Sequence, residues 1–314
     1  AIQGIGETND IQFIMTTHSP NLASKIKLEN LIVVKNGNAY PMGNAYTKLD
    51  KGDYYFLERF LDSTKANLFF ANGVILVEGD AENILLPTIA KLIGKNLSNY
   101  GVSIVNVGSV AFLRYSKIFL RQLEPHFNVP VAVITDVDVK PYESKVKIKD
   151  DVSGTEREMT KDEVETDRTS TILAKNTKYN DEKVKSFIAP YWTLEYTIAL
   201  SCLSKLFYQA VYISWKIKDA DGKNSYTYTA TKNKPILMQE ADTQYCQWLQ
   251  DGKSIEEVAF EIYQKTLLDK QVSKAVVAQI FSQLLNETDL TLYSFETDDK
   301  LKYLVDAINY VKSN

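Results

Sequence analysis

Cysteine and histidine are scarce in this sequence, and their scarcity excludes several classes of protein. Only Cys202 and Cys246 are present, together with 2 histidines in 314 residues. The chain therefore has neither a disulfide framework nor a Cys/His cluster with zinc-binding spacing. A reducing, cytoplasmic location is expected, because proteins of that compartment do without disulfides.

Long hydrophobic runs and an excess of positive charge are missing as well. The most apolar stretch, residues 187–215, is interrupted by Pro190, Glu195 and Lys205, which is typical of a core segment and not of a bilayer span. No signal peptide is expected from its first residues. With a net charge of −4, any contact with a polyanion must use local basic patches or bound cations. The length predicts two domains, or one domain with large insertions.

From Gly73 onward, predicted strands alternate with predicted helices. The predicted order is strand 74–77, helix 80–94, strand 102–107, helix 110–123 and strand 130–135. Such alternation predicts an α/β fold with a parallel sheet flanked by helices and right-handed crossovers. The continuous Val/Ile runs fit strands that are buried on both faces.

The flanking regions carry weaker signals. On the N-terminal side we predict a strand at 11–16, a short helix at 21–25, a hairpin turning at Asn36-Gly37, and a connecting helix within 50–72. Residues 140–181 are dense in charge and poor in apolar side chains, so an exposed or mobile insertion is expected there.

On the C-terminal side, KSFIAP predicts a strand, and Thr193 is the expected N-cap of a helix. A hairpin that pairs 211–217 with 225–231 is also predicted. Three helices are expected to follow, and their predicted caps are Ser254, Ser273 and Asp298.

Acidic residues follow two of the predicted strands. Glu78 comes after strand 74–77, with Asp80 and Glu82 in the next turn, and Asp136 and Asp138 come after strand 130–135. Because the carboxyl ends of parallel strands meet at one edge of a sheet, these carboxylates are expected to approach one another. Like charges resist joint ionisation unless a cation intervenes. Oxygen-only ligands favour Mg²⁺ or Mn²⁺, and two such ions suit phosphodiester hydrolysis.

The segments ILVEGDAE and VITDVD resemble a Toprim domain, the metal-binding module shared by topoisomerases, bacterial primases and several nucleases. The resemblance implies that Glu78, Asp136 and Asp138 bind or orient Mg²⁺ for phosphoryl transfer. Taken singly, each residue also fits a solvated acidic group favoured by a helix dipole.

The segment IMTTHSP, which contains His18, resembles the switch-histidine segment of ABC-type ATPases. Its position before a Toprim signature is similar to the arrangement in OLD (overcoming lysogenization defect) family nucleases, which include the nuclease subunit of the Gabija anti-phage system. In that family an N-terminal ATPase domain regulates the nuclease. The chain lacks a G-x-x-x-x-G-K-[ST] phosphate loop, so we expect a fragment in which ATP and His18 matter only with the missing ATPase domain.

Three further residues match the family's motifs. By resemblance, Glu195 in YWTLEYTIA is a metal ligand, Glu82 is a ligand of a second metal ion, and Lys274 in SKAVVAQ neutralises charge at the scissile phosphate. A helix N-terminus would help Lys274 to hold an anion. The alternatives are an ordinary helix residue for Glu195 and a surface lysine for Lys274.

The resemblance also implies a division of the chain. The expected parts are 1–48, the tail of an ABC-type ATPase domain; 49–72, a connecting helix; 73–198, a Toprim core with the charged insertion 140–181; 199–269, an inserted hairpin and helical subdomain; and 270–314, C-terminal helices that complete the nuclease.

DNA is the expected partner, held through phosphate contacts that are sensitive to salt. Candidate contacts are Lys140, Lys145, Lys147 and Lys149 for phosphates and Tyr226 and Tyr228 for bases. A solvated face and ordinary strand tyrosines are the alternatives. The family resemblance further implies a homodimer or higher homo-oligomer, a UvrD-like helicase partner in some relatives, and a role in phage defence or DNA repair.

Two other functions remain open from the sequence. A topoisomerase needs a nucleophilic tyrosine, and the 19 tyrosines present do not exclude one, whereas a primase usually needs a zinc module, which is absent. A Toprim fold can also serve as a non-catalytic scaffold or DNA-binding assembly module. The intact acidic residues favour a metal-dependent DNA endonuclease.

Overall fold

The computed structural model describes residues 12–108, 111–149, 155–221, 228–289 and 293–312. The strands in these ranges are β1 Ile32–Lys35, β2 Asn38–Pro41, β3 Gly73–Val77, β4 Val102–Asn106, β5 Val131–Thr135, β6 Lys147–Lys149, β7 Glu156–Glu158 and β8 Val184–Ile188. The α-helices are α1 Pro20–Ala23, α2 Lys51–Phe60, α3 Asp80–Leu92, α4 Phe112–Lys117, α5 Lys161–Tyr179, α6 Leu194–Leu200, α7 Ser204–Asp221, α8 Tyr228–Gln250, α9 Ile255–Phe260, α10 Lys274–Glu287 and α11 Lys302–Lys312. A π-helical segment, Glu261–Leu268, continues α9.

A four-stranded parallel sheet forms the centre of the molecule. Its strand order is β4-β3-β5-β8, and each neighbouring pair is parallel. The two central strands are buried along their whole length, as expected for strands covered on both faces. The predicted α/β fold with a helix-flanked parallel sheet is confirmed.

The sheet separates two hydrophobic cores. Because successive residues of a strand point to opposite faces, Ile75 and Val77 join one core, and Val74 and Leu76 join the other. The first core contains the helices α3, α6, α7, α10 and α11. The second contains residues of α2, α4 and the N-terminal hairpin.

Helix α11 lies unusually close to β3. A Cβ atom added to Gly73 would come within 2.5 Å of the Val311 carbonyl oxygen and 3.1 Å of its Cβ. Glycine is therefore required at position 73 for the helix to reach the strand. This contact holds α11 beneath the strand that leads to Glu78.

The N-terminal predictions have mixed outcomes. Residues 12–16 do not form the predicted strand; Phe13, Ile14 and Met15 are exposed there, because among the described residues no strand pairs with them. Residue 11 lies outside the described ranges. The hairpin is confirmed as β1 and β2, with positive φ at Asn36 and Gly37, which a two-residue type I′ turn requires.

The charged stretch 140–181 is more ordered than its composition suggests. Outside residues 150–154, which are not described, it contains the β6–β7 hairpin and the 19-residue helix α5. Thr160 and Glu163 form a reciprocal capping box at the start of α5. Most of its described residues are exposed or half-buried, as expected for an exposed insertion. Local capping nevertheless stabilises a helix that composition alone did not predict.

The predicted hairpin of 211–217 with 225–231 is also wrong. Residues 211–217 lie within α7, and residues 228–231 begin α8, while residues 222–227 are not described. A short apolar run that is read alone fits both the alternation of a strand and the 3.6-residue period of a helix. In the structure, Phe207, Ala210 and Val211 are buried on a helical face that packs against α10.

For the remaining helices, the predictions agree more closely with the structure. The connecting helix is shorter than predicted, as α2 followed by a 3₁₀ segment, and the predicted helix 110–123 is reduced to α4. Thr193, Ser254 and Ser273 cap α6, α9 and α10 as expected. Within the described ranges, no helix has the length and apolar character needed to cross a membrane.

Candidate metal centre

Two carboxylates meet at the carboxyl ends of the central strands. Glu78 directly follows β3, and Asp136 directly follows β5. The Glu78 Oε1 atom accepts a hydrogen bond from the Asp136 backbone N–H at 3.3 Å and another from the Thr135 hydroxyl. These contacts fix Glu78 against the end of the neighbouring strand.

A second glutamate comes from the first turn of α3. Glu82 is only 7% exposed, and the adjacent Gly79 leaves room for it, because a Cβ at Gly79 would lie 3.3 Å from Glu82 Oε2. The first turn of a helix favours negative charge. The position of Glu82 therefore offsets part of the cost of its burial.

Helices α6 and α10 supply an ion pair. Glu195 lies in the first turn of α6 and is 4% exposed, and its Oε2 atom is 2.8 Å from the Nζ atom of Lys274. Lys274 is the first residue of α10, and its ammonium also lies 5.4 Å from the centre of the Tyr263 ring. The sequence motifs that singled out Glu195 and Lys274 are thus brought together in space.

Burial and mutual repulsion shift the ionisation of this group. Burial, followed by the charges of Glu195 and Glu78, raises the pKa of Glu82 to about 7. Burial and the same acidic neighbours raise the pKa of Asp136 well above its ordinary value. Burial alone would lower the pKa of Lys274, but the Glu195 carboxylate raises it.

We call these four carboxylates and one ammonium the acidic cluster: Glu78, Glu82, Asp136, Glu195 and Lys274. Its excess of negative charge and its oxygen-only donors suit a hard divalent cation such as Mg²⁺ or Mn²⁺. Among the described residues, no three Asp, Glu, His or Cys side chains are already arranged around one point as metal ligands. The carboxylates influence one another's ionisation but do not form a closed coordination shell.

Asp138 is set apart from this cluster. Its backbone adopts φ 66°, and its N–H donates to the Trp192 carbonyl at 2.9 Å. The side chain is 64% exposed and pairs with Lys175, whose Nζ is 2.7 Å from Asp138 Oδ2 and 2.5 Å from the Asp136 carbonyl oxygen. The two aspartates of the VITDVD segment thus face different surroundings.

The Asp136 carboxylate is held at the start of a helix. Its Oδ1 atom accepts from the Leu194 backbone N–H at 2.7 Å, at the first residue of α6. Sequence reasoning missed this contact and missed Lys175. Lys175 lies in a helix that the composition did not predict, so no local signal pointed to it.

An aromatic group packs beside Glu195 and was also missed. The ring centres of Trp192 and Tyr263 are 4.7 Å apart, and those of Trp192 and Tyr196 are 5.6 Å apart. Trp192 and Tyr196 flank the Thr-Leu-Glu segment in sequence, but Tyr263 arrives from the π-helical segment. Only the tertiary fold brings the three rings together.

The other candidate residues lie elsewhere. Asp80 is exposed and accepts a hydrogen bond from Asn106 Nδ2 at 2.9 Å. His18 is exposed, with its ring 6.2 Å from that of Phe70. Tyr226 is outside the described residues, and Tyr228 is the first residue of α8.

The candidate phosphate-binding lysines are exposed, but two of them face acidic partners. Lys140, Lys145, Lys147 and Lys149 are all on the surface. In the β6–β7 hairpin, Lys147 is opposite Glu158 and Lys149 is opposite Glu156. Opposite charges across a strand pair attract, so these two lysines have local partners without DNA.

The parallel sheet and the carboxylates at its strand ends define an α/β domain with an acidic site at one edge of the sheet. Residues 69–138 match the family model described as the Overcoming lysogenization defect protein-like TOPRIM domain. Over these residues the chain is similar to an OLD-like Toprim domain, and the resemblance seen in the sequence is confirmed there. Among curated proteins, none matches the chain.

Solved structures of OLD proteins are distantly similar. The C-terminal region of the Xanthomonas campestris pv. campestris OLD protein is 20% identical, with a TM-score of 0.39, over 78% of this chain and 94% of that one. The C-terminal region of the Burkholderia pseudomallei OLD protein is 18% identical, with a TM-score of 0.40, over 77% of this chain and 98% of that one. The similarity to OLD-like proteins therefore rests on the match over residues 69–138.

Proposed function

We propose that this protein is a metal-dependent DNA endonuclease that uses Mg²⁺ or Mn²⁺ at the acidic cluster. One observation carries the proposal: the ends of two parallel strands and the first turns of two helices bring four carboxylates together with a single ammonium. Such an arrangement is poorly stabilised by itself, because burial and like charge oppose ionisation. Cation binding removes that conflict.

The residues of the acidic cluster have two proposed roles, metal binding and phosphate binding. Glu78, Glu82, Asp136 and Glu195 are the proposed metal ligands. Divalent cations at such sites activate water and stabilise the leaving oxygen of a phosphodiester. Lys274 offers its ammonium at the N-terminus of the 14-residue helix α10, an end that also favours an anion. We propose that it holds the scissile phosphate.

Asp138 has a conditional part in this proposal. Its pairing with Lys175 keeps its carboxylate directed to an ammonium outside the cluster. Because the pair is partly exposed, it is weak and can open at little cost. Asp138 then becomes available as a further ligand, at the position that its Toprim motif assigns to it.

Nicking of supercoiled plasmid by the purified chain tests the function. We expect Mg²⁺ or Mn²⁺ to support nicking and EDTA to abolish it. Glu78→Gln and Asp136→Asn keep the hydrogen-bond acceptors but remove the charges, so each should lower the rate by about 100-fold or more. Asp80→Asn is the matched control, because Asp80 lies in the same turn of α3 as Glu82 but outside the acidic cluster. This variant should retain activity. Full activity in both cluster variants, with circular dichroism unchanged, would rule the proposal out.

We also propose a wider setting: a cytoplasmic homo-oligomer whose nuclease is regulated by an ATPase domain and which acts in phage defence or DNA repair with a UvrD-like helicase as partner. Phage plating on cells that express the gene or its Glu78→Gln variant tests the defence role. Equal plating efficiencies would argue against it. Light scattering tests the oligomer.

A further inference from the structure

The hydroxyl of Tyr303 is a buried polar group that the proposed chemistry does not yet use. Tyr303 is the second residue of α11, and its ring belongs to the hydrophobic core. Its hydroxyl is inaccessible to solvent and has no hydrogen-bond partner among the described residues. A buried donor without a partner destabilises the fold, and a phenylalanine would fill the same space without that cost.

The surroundings of this hydroxyl are acidic. Helix α11 packs against β3, β5 and α3, the elements that lead to Glu78, Asp136 and Glu82. Burial raises the pKa of Tyr303 well above its ordinary value, and the carboxylates of Asp136, Glu82 and Glu195 raise it further. The phenol therefore stays neutral and keeps its proton, so its hydroxyl can act as a hydrogen-bond donor.

We propose that the Tyr303 hydroxyl is a positioning group for metal binding, which donates a hydrogen bond to a carboxylate of the acidic cluster once that carboxylate ligates a divalent cation. The inference rests on the proposed function in one respect, that the cluster binds such a cation. A ligating carboxylate uses one oxygen for the metal and leaves the other to accept a hydrogen bond. Partners of this kind orient ligands and strengthen metal affinity.

The positioning role differs from a packing role in a measurable way. If Tyr303 only fills the core, Tyr303→Phe changes neither the metal affinity nor the stabilisation that metal confers. If it positions a ligand, the variant weakens metal binding while the metal-free protein stays at least as stable, because an unpartnered buried hydroxyl has been removed. The two readouts therefore move in opposite directions.

The experiment uses the 314-residue chain, with Mn²⁺ as the probe. Isothermal calorimetry should show about a tenfold loss of Mn²⁺ affinity in Tyr303→Phe. Thermal unfolding without metal should give an equal or higher melting temperature than in the wild type. Tyr208→Phe is the control: Tyr208 is a buried tyrosine of α7 that contacts Trp248, and its substitution should leave Mn²⁺ affinity unchanged.

The outcomes separate this inference from the proposed function. Mn²⁺ affinity within twofold of the wild type in Tyr303→Phe overturns the inference, even if the wild type nicks DNA. Weaker binding in Tyr303→Phe supports it, even if no DNA is cut and the endonuclease proposal fails. If the wild-type chain binds no Mn²⁺, both fall. Should Tyr303→Phe unfold, Tyr303→Met, which also lacks the hydroxyl, takes its place under the same criteria.

Discussion

Two groups of acidic residues in this protein have opposite charge balances. Between α2 and α4, Asp50 and Asp53 meet Lys117 and Arg114, so two carboxylates face two cations. In the acidic cluster, four carboxylates share only Lys274. The first group is neutral by itself, whereas the second leaves negative charge that protons or a further cation can balance. Charge balance thus distinguishes a structural ion network from a candidate metal site better than the number of acidic residues does.

We call Asp50, Asp53, Arg114 and Lys117 the balanced group, and its contacts lower the pKa of Asp50 and raise the pKa of Lys117. Asp53 is 5% exposed, and its Oδ2 atom is 2.7 Å from Lys117 Nζ. Asp50 and Asp53 also form a capping box at the start of α2. The hydrogen bond from the Asp53 backbone, followed by the charge of Lys117, lowers the pKa of Asp50. In the acidic cluster, by contrast, the pKa values of Glu82 and Asp136 are raised.

The largest expected effect on stability is the loss of a carboxylate from the balanced group. Asp53→Asn should lower the free energy of unfolding by about 2–3 kcal/mol, because it leaves Lys117 without its nearest partner and weakens the cap. Glu82→Gln, which removes charge from the crowded cluster, should not lower it in the absence of metal. Urea denaturation measures both. Equal losses of unfolding free energy in the two variants would contradict the proposed difference between the balanced group and the acidic cluster.

The second prediction concerns pH. The folded state raises the pKa of Glu82 from 4.5 to about 7, so between these pH values it holds a proton that the unfolded chain releases. Stability without metal should therefore fall as the pH rises from 4.5 to 7, by roughly 2 kcal/mol from this residue. Glu82→Gln should flatten that part of the profile. A parallel profile in the variant would contradict the assigned cause.

The third prediction uses metal itself. When the free Mn²⁺ concentration is tenfold above the dissociation constant of the Mn²⁺ complex, the free energy of unfolding of the wild-type protein should rise by about 1.4 kcal/mol. Mn²⁺ should stabilise Asp53→Asn by the same amount, because this substitution lies outside the acidic cluster. It should stabilise the double variant Glu82→Gln/Asp136→Asn only slightly. Differential scanning calorimetry with and without Mn²⁺ gives the comparison. A full gain in the double variant would place the metal elsewhere.

The smallest expected effect comes from Lys175. Its pair with Asp138 is partly exposed, so Lys175→Met should change the free energy of unfolding by less than about 1 kcal/mol. Mn²⁺ should bind a few-fold more tightly, because the ammonium no longer competes for Asp138. Calorimetric titration with Mn²⁺ shows whether the affinity rises or falls. Weaker binding would mean that Lys175 orients Asp138 for the metal.

The sequence predicted the sheet and the strand-end carboxylates because those signals are local. A continuous apolar strand such as residues 74–77 can be recognised without its neighbours, and parallel pairing then places Glu78 and Asp136 at one edge. The motif resemblance added Glu195 and Lys274, which the fold does bring together. The metal-binding roles of all these residues stay predictions.

The missed features depend on long-range or backbone effects. Alternation and helical periodicity could not be told apart in the short apolar run of α7. The positive φ of Asp138 turns its side chain towards Lys175, and a spacing pattern carries no such information. Tyr303 has no motif, so its relation to the carboxylates became visible only through the packing of α11 on the sheet.

The order of these elements along the chain has a consequence for when the centre exists at all. Its first carboxylate follows β3, whereas Tyr303 belongs to α11, which must dock on Gly73 to close the layer beneath the strands. Until α11 has been made and has docked, the acidic groups lie at the strand ends without the helix that covers them. Under our proposals, full metal affinity is therefore acquired only when α11 docks, well after the first carboxylate has been synthesised.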